Sequence, residues 1–147
     1  MSQNKFNLSM LLVLAFVLGT LFGTPGAQAA SDQGWNGYTA KTADYVVTAA
    51  ENGTTFTNRG AAGTVIFTCP APFANAHYRF LVHAGQTVTV KPDAVDTAVT
   101  FNDATADSVS LQTAGELIGG VIEAWSDGTS WWIFGGSGAA HTYTVAT

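Results

Sequence analysis

From Tyr45 onward the chain never places apolar residues at helical spacing for three turns. It offers short runs of alternating apolar and polar residues, cut by turn residues. Residues 64–69 put Val65, Phe67 and Cys69 on one face and Thr64, Ile66 and Thr68 on the other. The run ends at Pro70-Ala71-Pro72, because proline donates nothing to a strand ladder. Residues 78–84 alternate too, with Tyr78, Phe80, Val82 and Ala84 as the core face and His77, Arg79, Leu81 and His83 as the wet one. After a turn at Gly85-Gln86, Val88 and Val90 point inward and Thr87, Thr89 and Lys91 outward. Residues 45–48, 54–57, 99–101 and 108–112 are further strands; Asn52-Gly53 makes a turn between the first two, and 102–107 connects the last two.

The strongest local signal is 121–134. Asp127-Gly128 is a hairpin turn signal, since glycine takes positive φ without steric cost. It joins Val121-Ile122-Glu123-Ala124-Trp125 to Ser130-Trp131-Trp132-Ile133-Phe134, both rich in β-branched and aromatic residues. Residues 141–145 are either a last strand or an arm exchanged with a neighbour, with Gly135-Gly136-Ser137-Gly138 as the hinge. About eight to ten short strands at hairpin spacing predict an all-β, single-domain antiparallel sandwich or small barrel.

Ahead of this domain, Lys5 precedes an apolar stretch over 8–22, shorter than the roughly 20 residues that span a bilayer. Thr24, Pro25 and Gly26 break it, and Ala27-Gln28-Ala29 fits the small-x-small cleavage pattern. Residues 1–29 are therefore expected to be a signal peptide, the alternative being an uncleaved anchor. The protein is expected to be secreted, at the cell surface or in the periplasm, with no membrane span after cleavage. Residues 30–44 read as an N-terminal arm whose Trp35 and Tyr38 pack on the domain or on a neighbour; the domain is 45–147.

Composition narrows the classes of function. With 47% hydrophobic and 10% charged residues, the chain is not of the disordered kind. After the leader only Lys41, Arg59, Arg79 and Lys91 are basic, so a nucleic-acid backbone is not an expected partner. A single cysteine, Cys69, excludes an internal disulfide and a cysteine-based zinc site.

The remaining chemistry is sparse. His77 and His83 lie about 20 Å apart along one strand, too far to share a metal, and His141 can join only one of them. Asp93, Asp96, Asp103 and Asp107 occupy turns but lack a calcium-loop spacing. Glu51, Glu116 and Glu123 form no convincing acid/base pair, and Cys69 falls on an apolar face. No cofactor, metal or catalytic residue is expected. The aromatic residues are the binding candidates. Trp131 and Trp132 are adjacent and point to opposite faces; Trp125 shares the face of Trp132. A tryptophan left uncovered there would stack on a sugar ring or bury against another subunit. The candidate binding and interface residues are thus Trp125, Trp131, Trp132, Trp35 and Tyr38.

The stretch 45–68, YVVTAAENGTTFTNRGAAGTVIFT, resembles small β-rich modules of bacteriophage tail-fibre and related virion proteins. Residues 85–92, GQTVTVKP, and 126–131, SDGTSW, are similar to the same group. The resemblance covers most of 45–134. It implies an all-β, homotrimeric structural or attachment module without catalysis. The leader departs from the pattern of virion proteins, which assemble in the cytoplasm. The expectation is therefore a secreted or surface-displayed adhesive module that self-associates as a trimer. The alternatives are a monomeric carbohydrate-binding module with a surface glycan as partner, or a virion protein.

Overall fold

A computed structural model of the chain describes residues 36–94, 97–112, 115, 117–136 and 141–147. The expected signal peptide 1–29, Trp35, Asp96, Glu116 and the hinge residues Ser137 and Gly138 lie outside the described residues.

The described residues form twelve strands: β1 (Tyr38–Ala40), β2 (Tyr45–Val46), β3 (Thr55–Thr57), β4 (Val65–Thr68), β5 (Ala74–Leu81), β6 (Val88–Lys91), β7 (Ala98–Thr100), β8 (Asp103–Ala106), β9 (Ser108–Leu111), β10 (Val121–Asp127), β11 (Trp131–Gly135) and β12 (Tyr143–Ala146). Among the described residues, helix is confined to one 3₁₀ turn, Ala49–Glu51. The fold is all-β. The strands make two sheets, ordered β1-β3-β5-β10-β11-β7-β8 and β12-β9-β6-β4-β2. Neither sheet closes on itself, so the arrangement is a small sandwich and not a barrel.

The sheets are mixed, which corrects the antiparallel expectation. β1/β3, β3/β5, β2/β4, β4/β6 and β7/β11 all pair in parallel. The reason is the route of the chain. Over β1 to β6 it crosses to the opposite sheet at every connection, so each strand lies beside the strand two places before it. Asn52-Gly53 and Gly85-Gln86 are corners between sheets, not hairpins.

Polar side chains at these corners tie each coil to the next. The Asp44 carboxylate accepts from the Ile66 N–H at 2.8 Å. Asn52 Oδ1 accepts from the His77 N–H at 2.8 Å. Buried Asn58 makes four bonds: Oδ1 accepts from the His83 and Ala84 N–H groups, and Nδ2 donates to the Ala84 and Gln86 carbonyls. Corner backbone that no ladder reaches is thereby satisfied.

The alternation of residues 65–69, 78–82 and 87–91 supplies the core. Val65, Phe67, Cys69, Tyr78, Phe80, Val88 and Val90 are all fully buried. Parallel register sets Phe56 beside Phe80, stacked at 5.7 Å, and Phe67 of the other sheet closes on Phe80 at 4.8 Å. Such ring pairs add about 1 kcal/mol each beyond the area they bury.

Two expectations about elements need revision, and the choice left open for the C-terminal residues is resolved. Residues 38–40 of the presumed arm are a strand of the large sheet. The connection 102–107 contains β8, which pairs with β7. Residues 143–146 form a last strand on β9 of the same chain. There the Tyr143 ring lies over Gly135, and its hydroxyl donates to the Val121 carbonyl at 2.8 Å. Among the described residues, no helix is long and apolar enough to cross a membrane.

Candidate functional site on the outer face of the large sheet

Strand parity decides which tryptophans face outward. In β10, Ile122, Ala124 and Ser126 are buried while Glu123, Trp125 and Asp127 face away from the core. In β11, Trp131 and Ile133 are buried, and Trp132 and Phe134 are exposed. Trp131 is 0% exposed, packs on Tyr78 at 5.7 Å and donates its Nε1–H to the Pro70 carbonyl at 2.9 Å. Its place among the binding candidates is corrected accordingly: it is a core residue, sealed by the sheet it sits on.

Trp125 and Trp132 are directly opposite each other across the hairpin. They are 42% and 47% exposed. On the other side of β10, Trp125 faces His77 of β5, and the two rings stack at 5.3 Å with a 22° tilt. Trp132 in turn neighbours Val99 of β7. The result is one row across four strands: His77, Trp125, Trp132, Val99.

The hairpin turn fixes this row. Asp127 Oδ1 accepts from the Thr129 and Ser130 N–H groups at 2.8 and 2.9 Å. Its Oδ2 accepts from Trp132 Nε1 at 3.3 Å. The Ser130 and Thr129 N–H groups, then the Trp132 indole, hold the Asp127 carboxyl below its ordinary pKa. Gly128 at φ +100° permits the turn.

The next row on the same face is Tyr38, Thr55, Arg79, Glu123 and Phe134, by register across β1, β3, β5, β10 and β11. Arg79 donates through Nε, at 2.8 Å, and through Nη2 to Glu123 Oε1. Both side chains are partly covered, so the pair is screened less than a free surface bridge. The centre of the face thus holds one cation and one anion that neutralise each other. Tyr38, 75% exposed, ends the row at the sheet edge.

The face therefore gathers three of the expected residues, Trp125, Trp132 and Tyr38. It adds His77, Phe134 and the Arg79–Glu123 pair, which the sequence reading left unassigned or treated as merely wet. Adjacent-strand register is what joins them, and one strand's alternation does not contain it.

Two candidate reactive groups are buried or engaged. Burial, with the Asp93 charge behind it, pushes the Cys69 thiol far up, so it is held neutral. Glu123 is tied to Arg79. Among the described residues, no group of three or more His, Cys, Asp and Glu is placed to hold a metal ion. This surface can offer flat aromatic area with a few oriented polar groups. The chain matches no protein-family model, and no curated protein matches it significantly.

Proposed function

We propose that the protein is a secreted or surface-displayed, non-catalytic structural or adhesive module that self-associates, as a trimer, through the outer face of its large sheet. The observation that carries this reading is the Trp125–Trp132 pair. Two adjacent indoles, each nearly half exposed, sit on a flat face beside Phe134 and His77. Covering their remaining surface, on the order of 200 Å², contributes on the order of 5 kcal/mol per chain at about 25 cal/mol per Å².

Three further points support it. Aromatic residues and arginine are enriched in protein interfaces, and their centres are poor in unpaired charge. The charges at the centre of this face are already paired with each other, so covering them leaves no lone buried ion. The similarity of 45–68 to phage-fibre modules points to trimers, and the leader to export.

Trp132→Arg is the direct test. It places an unpaired charge in the middle of the face without touching the core. The variant is expected to keep the circular dichroism of the parent and to drop to the mass of one chain. Retention of the parent's mass overturns the reading. A monomeric parent retained on a neutral polysaccharide, with retention lost in Trp132→Ala, would assign the face to a glycan instead.

A further inference from the structure

At the corner of the large sheet diagonally opposite the tryptophan pair, a cavity of about 420 Å³ opens beside β1, β3 and β5. Tyr38, Thr57, Arg59, Leu81 and His83 line it. Three facts about these residues set the corner apart.

The first is charge. Of the four basic residues after the leader, Arg79 is held by Glu123, and Lys41 lies 3.2 Å over the Tyr45 ring. Lys91 sits on β6, in the other sheet, near Asp93 and Asp107. Arg59 is exposed beside a cavity whose lining holds no carboxylate, and no ion pair engages it among the described residues. In a chain of net charge −5 this is a local positive site on an otherwise acidic molecule.

The second is the aromatic ring. Tyr38 is 75% exposed and lines the same cavity as Arg59, so it offers aromatic surface there.

The third is preorganisation. Arg59 follows Asn58 directly, and His83 gives its backbone N–H to the Asn58 side chain at 2.7 Å. One buried asparagine with four hydrogen bonds therefore fixes the 83–86 backbone that carries His83, and Arg59 is the residue next to that asparagine in the chain. A rim held in place loses little entropy on binding.

We propose that this cavity binds an acidic saccharide, a pyranose ring carrying a carboxylate. Arg59 matches the carboxylate with its two-pronged donor geometry. Tyr38 receives the apolar face of the ring, while Thr57 and His83 supply hydrogen bonds for hydroxyls. The volume falls within the range of small-ligand sites and suits a single ring. The cavity shares no residue with the tryptophan pair, although Tyr38 lies on the same outer face of the large sheet, and Trp132→Arg separates the two readings.

The test is calorimetric titration of the purified protein with short oligomers of galacturonate, glucuronate, mannuronate and guluronate, and with sialyl oligosaccharides. A neutral oligosaccharide of equal length and a poly-glutamate peptide serve as controls. Saturable binding of at least one acidic sugar is expected, weakened at least tenfold in Arg59→Ala and severalfold in His83→Ala and Tyr38→Ala. Arg59→Lys is expected to stay well below the parent, since a point charge lacks the two-pronged geometry. Trp132→Arg should bind as the parent does. The proposal is overturned if no acidic sugar binds. It is equally overturned if the neutral oligomer or the peptide binds as tightly, or if Arg59→Ala retains full affinity in a protein of unchanged fold.

Discussion

Adjacent residues of one strand carry opposite tasks here, and Trp131 and Trp132 make the case. Trp131 fills the core against Tyr78 and satisfies its indole N–H on Pro70. Trp131→Ala leaves a large cavity and an unpaired Pro70 carbonyl, and is expected to cost about 3–5 kcal/mol in urea denaturation. Trp132→Ala is expected to change stability by less than about 1 kcal/mol at concentrations where the chain is monomeric. Parity made this division legible in the sequence as two opposite faces. Which indole went inward was not legible, because it depends on which face of the strand meets the second sheet. Gly135 is a second residue-scale constraint. Any Cβ there would overlap the Tyr143 ring, whose hydroxyl is bonded to Val121. Gly135→Ala should therefore lift the ring, cost about 1–3 kcal/mol, and raise amide exchange in 143–146 above that in β10.

At the scale of elements, the corners hold the coils in register. Asn58→Ala removes four bonds to partly buried corner backbone and is expected to cost on the order of 3 kcal/mol, read as a lowered denaturation midpoint. The corner at 48–51 adds a pH dependence. Burial raises the Glu51 pKa, but bonds from the Thr48 N–H, the Tyr45 hydroxyl and the Thr48 hydroxyl, with the Lys41 charge, outweigh it and leave the carboxyl below its ordinary value of 4.5. A folded-state pKa below the unfolded one means that this stabilisation is complete above pH 4.5 and is lost as pH falls through the lower folded value. Asp127 acts with the same sign. Melting temperature should fall on acidification below about pH 4.5, and Glu51→Gln should melt lower at pH 7 with a shallower acid slope. Strands β4, β5 and β6 and the β10–β11 hairpin were readable because long alternation and an Asp-Gly turn mark them. β1 and β8 were not: three residues in β1 are too short for a period, and the Asp and Ala of β8 are weak strand formers. Nor was the parallel order of β1 to β6. A turn signal says that the chain reverses; it does not say whether the reversal stays in one sheet or crosses to the other.

For the whole molecule, two mixed sheets bury one core between them and leave the outer face of the large sheet free of that core. Tyr38, Trp125 and Trp132 were legible as aromatic residues without an assured place in a small core. Their union with His77, Phe134 and the Arg79–Glu123 pair emerges only when β5, β10 and β11 are laid in register. The face then has two ends with different chemistry. The tryptophan end offers aromatic area, which the proposed function gives to a second subunit, and the other end sets Arg59 and exposed Tyr38 around one cavity. Substitutions at one end should leave the other unaffected, as expected for sites without shared partners. The central claim is that the tryptophan end is an interface between copies of this chain. It is tested most directly by the mass of the purified protein, measured by light scattering across a hundredfold dilution. The account predicts the mass of three chains, unchanged until the lowest concentrations and carried by a species whose tryptophan emission shifts red as it dissociates. A mass of one chain at every concentration would contradict it.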